Sequence, residues 1–114
     1  MKNEIIRQKL ELIAATGKRT ALEIAVGAPY SCPDDSDESI TCWYGPVEIK
    51  GIRDKVHDIG GDDPFETLVL SIMFVKRMLV SVKRNGNRIV FFGTDEDYPI
   101  EEIFETGDCQ QTQE

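Results

Sequence analysis

The sequence predicts an α+β fold: an antiparallel β-meander of about four to five strands with one long helix packed on one face, in the order β-β-β-β-α-β. Three observations carry this expectation. Apolar residues recur at period two in several short runs, the spacing of half-buried strands. Between residues 64 and 83 the apolar spacing changes to three and four, which is that of an amphipathic helix. The runs before the helix are joined by short turns, so neighbours in sequence should pair antiparallel, with the helix laid across the sheet.

The elements follow in order. Residues 5–14 set Arg7, Lys9 and Glu11 against Gln8, Leu10 and Leu12, and periodicity alone does not separate helix from strand there. A turn at residues 16–19 contains Gly17, and Leu22, Ile24 and Val26 then share one face of a strand. Two runs around such a turn read best as a β-hairpin. Residues 28–39 hold Pro29, Pro33, three serines and four acids, and read as a solvated loop. Residues 40–49 are β-branched and aromatic, hence a strand. Gly45 and Pro46 within it argue for a bulge or an edge position. Trp43 and Tyr44 should point to opposite faces, one into the core and one toward solvent or a partner. A turn at residues 51–54 leads to a fourth strand at residues 55–60.

The helix is the clearest element. Asp62 or Asp63 caps it and Pro64 occupies its first turn. Phe65, Leu68, Ile72, Val75, Leu79 and Val82 form the apolar stripe, widened by Val69, Leu70, Met73 and Phe74. Lys76, Arg77, Lys83 and Arg84 favour the C-terminal half, where the helix dipole welcomes cations, and Asn85 and Gly86 end it. Leu68, Ile72, Val75 and Leu79 should be buried, so Leu68→Ala or Ile72→Ala should each cost about 2–5 kcal/mol. A last strand covers residues 88–92, and Ile100, Ile103 and Phe104 form one short amphipathic turn. Residues 1–105 thus read as a single α+β domain, with residues 106–114 a disordered acidic and polar tail.

Charge is distributed unevenly. The chain has 114 residues and a net charge of −8. All 13 basic residues lie between Lys2 and Arg88. Residues 94–114 carry Asp95, Glu96, Asp97, Glu101, Glu102, Glu105, Asp108 and Glu114 with no Lys or Arg, so the whole net charge resides there. Such a segment repels nucleic acid and anionic lipid and attracts basic protein surfaces. No apolar run is long enough to span a bilayer, and the N-terminus is too polar for a signal peptide, so a cytoplasmic location is expected.

The residues that carry chemistry are sparse. His57 is the only histidine, which disfavours catalytic triads and most zinc sites. Cys32, Cys42 and Cys109 are odd in number and lack Cys-x-x-Cys spacing, so they describe no disulfide framework. In a reducing compartment all three are free thiols, and Cys32 with Cys42 is the conceivable bridge. Asp34, Asp35, Asp37 and Glu38 offer oxygen ligands but lack the glycine turn and later glutamate of a calcium loop. Gly60 and Gly61 precede the helix, yet Asp62 and Asp63 stand where a bound phosphate would go. No catalytic, cofactor-binding or metal residues are assigned, and no enzyme is expected.

The run from Glu23 to Pro29, a polar loop, and then the run from Cys42 to Gly51 resemble a family of small bacterial proteins known only as a domain of unknown function. That family pattern is a strand ending in Gly-x-Pro, a loop, a tryptophan-containing strand ending Ile-x-Gly, and a long helix. The resemblance covers residues 5–99. Gly45 stands before Pro46 where many relatives have a cysteine, and Cys42 lies on the other side of Trp43. The family implies no reaction and no catalytic residues. In size and acidity the chain is also similar to immunity proteins that neutralise bacterial toxins.

The expected function is therefore direct binding of a basic protein, as an immunity or antitoxin protein against a nuclease-type toxin. The alternative is a non-catalytic small-ligand-binding or general interaction module. Nucleases present cationic surfaces, so an inhibitor that covers one gains by being anionic. The expected rim is Asp95, Glu96, Asp97, Glu101, Glu102 and Glu105, with Tyr44, Tyr98 or Phe104 as aromatic anchor. Neither nucleic acid nor membrane is an expected partner, and homodimerisation is left open.

Overall fold

The computed structural model describes residue 1, residues 3–33, residue 39 and residues 41–104. The elements are β1 (Glu4–Ile13), β2 (Arg19–Gly27), β3 (Tyr30–Pro33), β4 (Thr41–Lys50), β5 (Arg53–Gly61), α1 (Pro64–Arg84), β6 (Arg88–Phe91) and α2 (Ile100–Phe104). The fold is α+β, with one antiparallel sheet and one long helix upon it. Segment 5–14 is a strand, because Leu10 and Leu12 pair with Leu22 and Thr20 of β2 in register.

Six strands occupy five lanes. Val47 of β4 pairs with Val26 of β2 on one edge and His57 of β5 on the other. Tyr44 of β4 likewise lies between Tyr30 of β3 and Gly60 of β5. So β2 and β3 share one edge of β4, end to end, interrupted at Ala28 and Pro29. The short strand β3 lies in a segment that composition marks as loop; pairing with β4 gives its backbone groups partners that water would otherwise supply. β6 closes the opposite edge by pairing with β1.

The sequence places Gly45 and Pro46 at a bulge or an edge, and the structure corrects this. β4 is an inner strand, and its irregularity with β5 falls later, between Glu48 and Ile49. Pro46 is tolerated because β2 pairs from residue 47 onward and β3 only up to residue 44, so no ladder exists on that side to lose a donor.

α1 begins as its sequence predicts. Asp63 Oδ1 accepts from the Glu66 backbone N–H at 2.7 Å, and Glu66 Oε1 accepts from the Asp62 N–H at 2.7 Å. These carboxylates satisfy two donors at the helix entrance. The buried face keeps Val75 and Leu79 of the predicted stripe but is rotated away from the rest of it. Thr67, Ser71, Val75 and Leu79 are buried, whereas Phe65 is 79% exposed and Ile72 41% exposed. Leu68 is only partly buried. The cause lies beneath the helix. A Cβ on Gly45 would stand 2.2 Å from Ser71 Oγ, and one on Gly61 would stand 2.3 Å from Thr67 Oγ1. Two glycines opposite two small residues let helix and sheet approach closely there, and that contact sets the helix rotation. Thr67 and Ser71 consequently face inward in place of the larger Phe65 and Ile72.

The core lies between α1 and the sheet. Leu10, Leu22, Val47, Ile49, Leu79, Ile89 and Ile100 are its most deeply buried members. After β6 the chain turns back. The Phe91 N–H donates to the Glu96 carbonyl at 3.0 Å and the Tyr98 N–H to the Ile89 carbonyl at 2.9 Å. This return covers part of the β6 edge before α2 places Ile100 in the core.

Candidate protein-binding surface

The acidic segment folds onto the body of the protein through cations of other elements. Arg19 pairs with Asp95, Arg88 with Asp97 at 2.9 Å, and Lys83 with Glu101 at 3.0 Å. The Lys83 ammonium holds the Glu101 carboxyl below its ordinary pKa. Three expected rim acids are therefore neutralised locally. Glu96 and Glu102 are exposed and engage no cation among the described residues. Glu105 and the side chain of Phe104 lie outside the described residues, as do the expected tail at 106–114 and the acidic run at 34–38.

The expected aromatic anchors are not brought together. Tyr98 is half-buried and packs edge-on against Phe91, 5.3 Å between ring centroids, on the helix side of the sheet. Tyr44 lies on the opposite, open face, with its ring 5.9 Å from Tyr30. Trp43 is in phase with Gly45 and so faces the helix side, as alternation requires. The open face has a shallow apolar hollow of about 380 Å³ beside Tyr30, Pro46 and Val56. It also carries Arg7, which reaches Glu4 at 2.9 Å, Glu23 at 3.1 Å and Glu48 at 3.6 Å. That cluster ties three carboxylates on three strands to one guanidinium.

A second surface joins Tyr98 to residues that the sequence marks as strand or helix faces and not as a binding site. α1 lies mainly over β4 and β5 and leaves part of β1 and β2 uncovered on the helix side. An apolar groove of about 240 Å³ results. Its floor is Ile6, Gln8, Ile24 and Val26, and its walls are Ile72, Val75 and Leu79 of α1 with Tyr98 and Ile103. Ile6 is 59% exposed and Ile103 49% exposed, so the apolar surface continues outward from the groove. α2, which also bears Glu101 and Glu102, forms a wall through Ile103. The sequence signal was present but ambiguous. Ile5 and Ile6 open a strand otherwise alternating with charge, and the helix is apolar around most of its circumference.

Among the described residues no three His, Cys, Asp or Glu side chains converge as a metal site. No described helix is long and apolar enough to cross a membrane. Comparison with protein-family models, with curated proteins and with solved structures returned no match.

Proposed function

We propose that this chain is a protein-binding module that receives an apolar segment of a basic partner in the groove between α1 and the β1–β2 hairpin. Immunity or antitoxin action against a nuclease-type toxin is the form of this activity that its size and acidity favour. The observation that carries the reading is the groove itself, with apolar residues exposed on floor and walls, one of them Ile103 of the acidic helix α2. Apolar anchors in such a recess supply the binding free energy, and charges at the rim mainly supply speed and selectivity. A volume of about 240 Å³ is below the roughly 300–1,000 Å³ usual for small-molecule sites. This favours side chains of a protein segment over a cofactor-sized ligand.

The test first identifies a basic protein partner by binding to the full chain, then follows association optically. Ile72→Ser combined with Ile103→Ser should raise the dissociation rate at least about tenfold, because anchor losses appear in that rate. Glu101, Glu102 and Glu105 changed together to Gln should slow association several-fold at low salt, with the difference shrinking at high salt. If the serine variant, shown to be folded by circular dichroism, binds like wild type, the groove is not the site.

A further inference from the structure

Cys32 and Cys42 face one another across β3 and β4 as directly opposed register partners. Opposed residues of an antiparallel pair project to the same face, here the open face that also bears Tyr30 and Tyr44. Both thiols are half-buried and free. Opposed Cα atoms in such a pair are about 4.5 or 5.5 Å apart, according to whether the pair exchanges hydrogen bonds. Disulfides span Cα separations of about 4.4–6.8 Å, so either case is within reach. Opposed Cβ atoms are about 4.5–5.5 Å apart, against about 3.5–4.5 Å in a disulfide. The strands must therefore draw together slightly, and a bridge closed under that constraint is more easily reduced than a relaxed one.

We propose that Cys32 and Cys42 form a dithiol that closes to a reversible cross-strand disulfide when it meets a small disulfide oxidant. One cysteine, as thiolate, attacks a sulfur of the oxidant and expels one small thiolate, leaving a mixed disulfide on the protein. The opposed cysteine, as thiolate, attacks the protein sulfur of that mixed disulfide and expels the second small thiolate. The protein loses two electrons and two protons; the oxidant's S–S bond is reduced and its two thiolates take up those protons. The product clamps β3 to β4. β3 has four residues and pairs with β4 alone among the described strands, so a staple secures a short strand with a single partner. The bridge closes a loop of roughly eleven residues, which restricts the unfolded chain.

The experiment incubates the full chain carrying Cys109→Ser with glutathione disulfide under native conditions. Intact mass should fall by two hydrogens with no glutathione retained, and both thiols should disappear from titration together. The extent should not depend on protein concentration, and a small dithiol should reverse it. In the unsubstituted chain, a non-reducing digest should yield a Cys32–Cys42 cross-linked peptide, which frees the result from any effect of the serine on folding. Glutathione retained on either cysteine, cross-linked dimers, a bridge from Cys109 in place of this pair, or reaction only after unfolding in urea would each overturn the proposal.

Discussion

At the scale of single residues, His57 shows how position alters chemistry. Its ring packs 5.1 Å from Phe74 of α1, and its Nε2 is buried without a hydrogen-bond partner among the described residues. Burial, aided by the nearby charges of Lys55 and Arg53, lowers its pKa from 6.5. Between the lowered native value and the unfolded one, the unfolded chain binds a proton that the native chain refuses. Stability therefore rises with pH across that window; it is full above about pH 6.5 and is lost as pH falls through the native pKa. The melting temperature of wild type should fall more between pH 7 and pH 5 than that of His57→Gln. Equal falls would remove His57 from the acid response. The alternation of β5 made a strand-lining histidine legible in the sequence. The lid over it was not, because Phe74 is 17 residues away on another element.

At the scale of elements, α1 separates what hydropathy reads from what packing decides. Its start at Asp63 and Pro64 and its end at Asn85 follow from local chemistry and were legible. Its rotation was not. The helix is apolar around so much of its circumference that several stripes fit, and the two glycines that choose among them lie on β4 and β5. Leu79 is 1% exposed and Ile72 is 41% exposed. Leu79→Ala should therefore cost about 2–5 kcal/mol. Ile72→Ala should cost about 1 kcal/mol or less, since much of its side chain already meets water. Urea unfolding of the two variants measures both. A cost for Ile72 equal to that for Leu79 would mean that the helix sits with the predicted stripe inward.

At the scale of the whole molecule, the acidic segment is a structural flap before it is a binding rim. Its backbone covers the β6 edge, three of its acids pair with cations of β2, α1 and β6, and Ile100 is fully buried. The ion pairs are exposed, and solvent screening leaves exposed pairs little net stabilisation. The anchor is Ile100. Ile100→Ala should cost about 2–5 kcal/mol, by the lost burial and the cavity left behind. Asp97→Asn should cost under about 1 kcal/mol. Thermal or urea denaturation of both variants decides it, and the reverse order would make the segment an electrostatic attachment.

The sequence by itself determined the α+β class, the hairpin, the Trp43 strand, the long helix with its caps, and the concentration of net charge after residue 93. These depend on interactions within a few residues or on composition. Tertiary structure alone decided the pairing of β3 with β4, the inner position of Pro46, the face that α1 buries, and the meeting of Ile6, Ile72 and Ile103 at one groove. It also decided that Arg19, Lys83 and Arg88 neutralise acids which in sequence form an uninterrupted anionic run. Each of these joins residues far apart in the chain. Local periodicity states which residues can be buried, but partner elements determine which of them are.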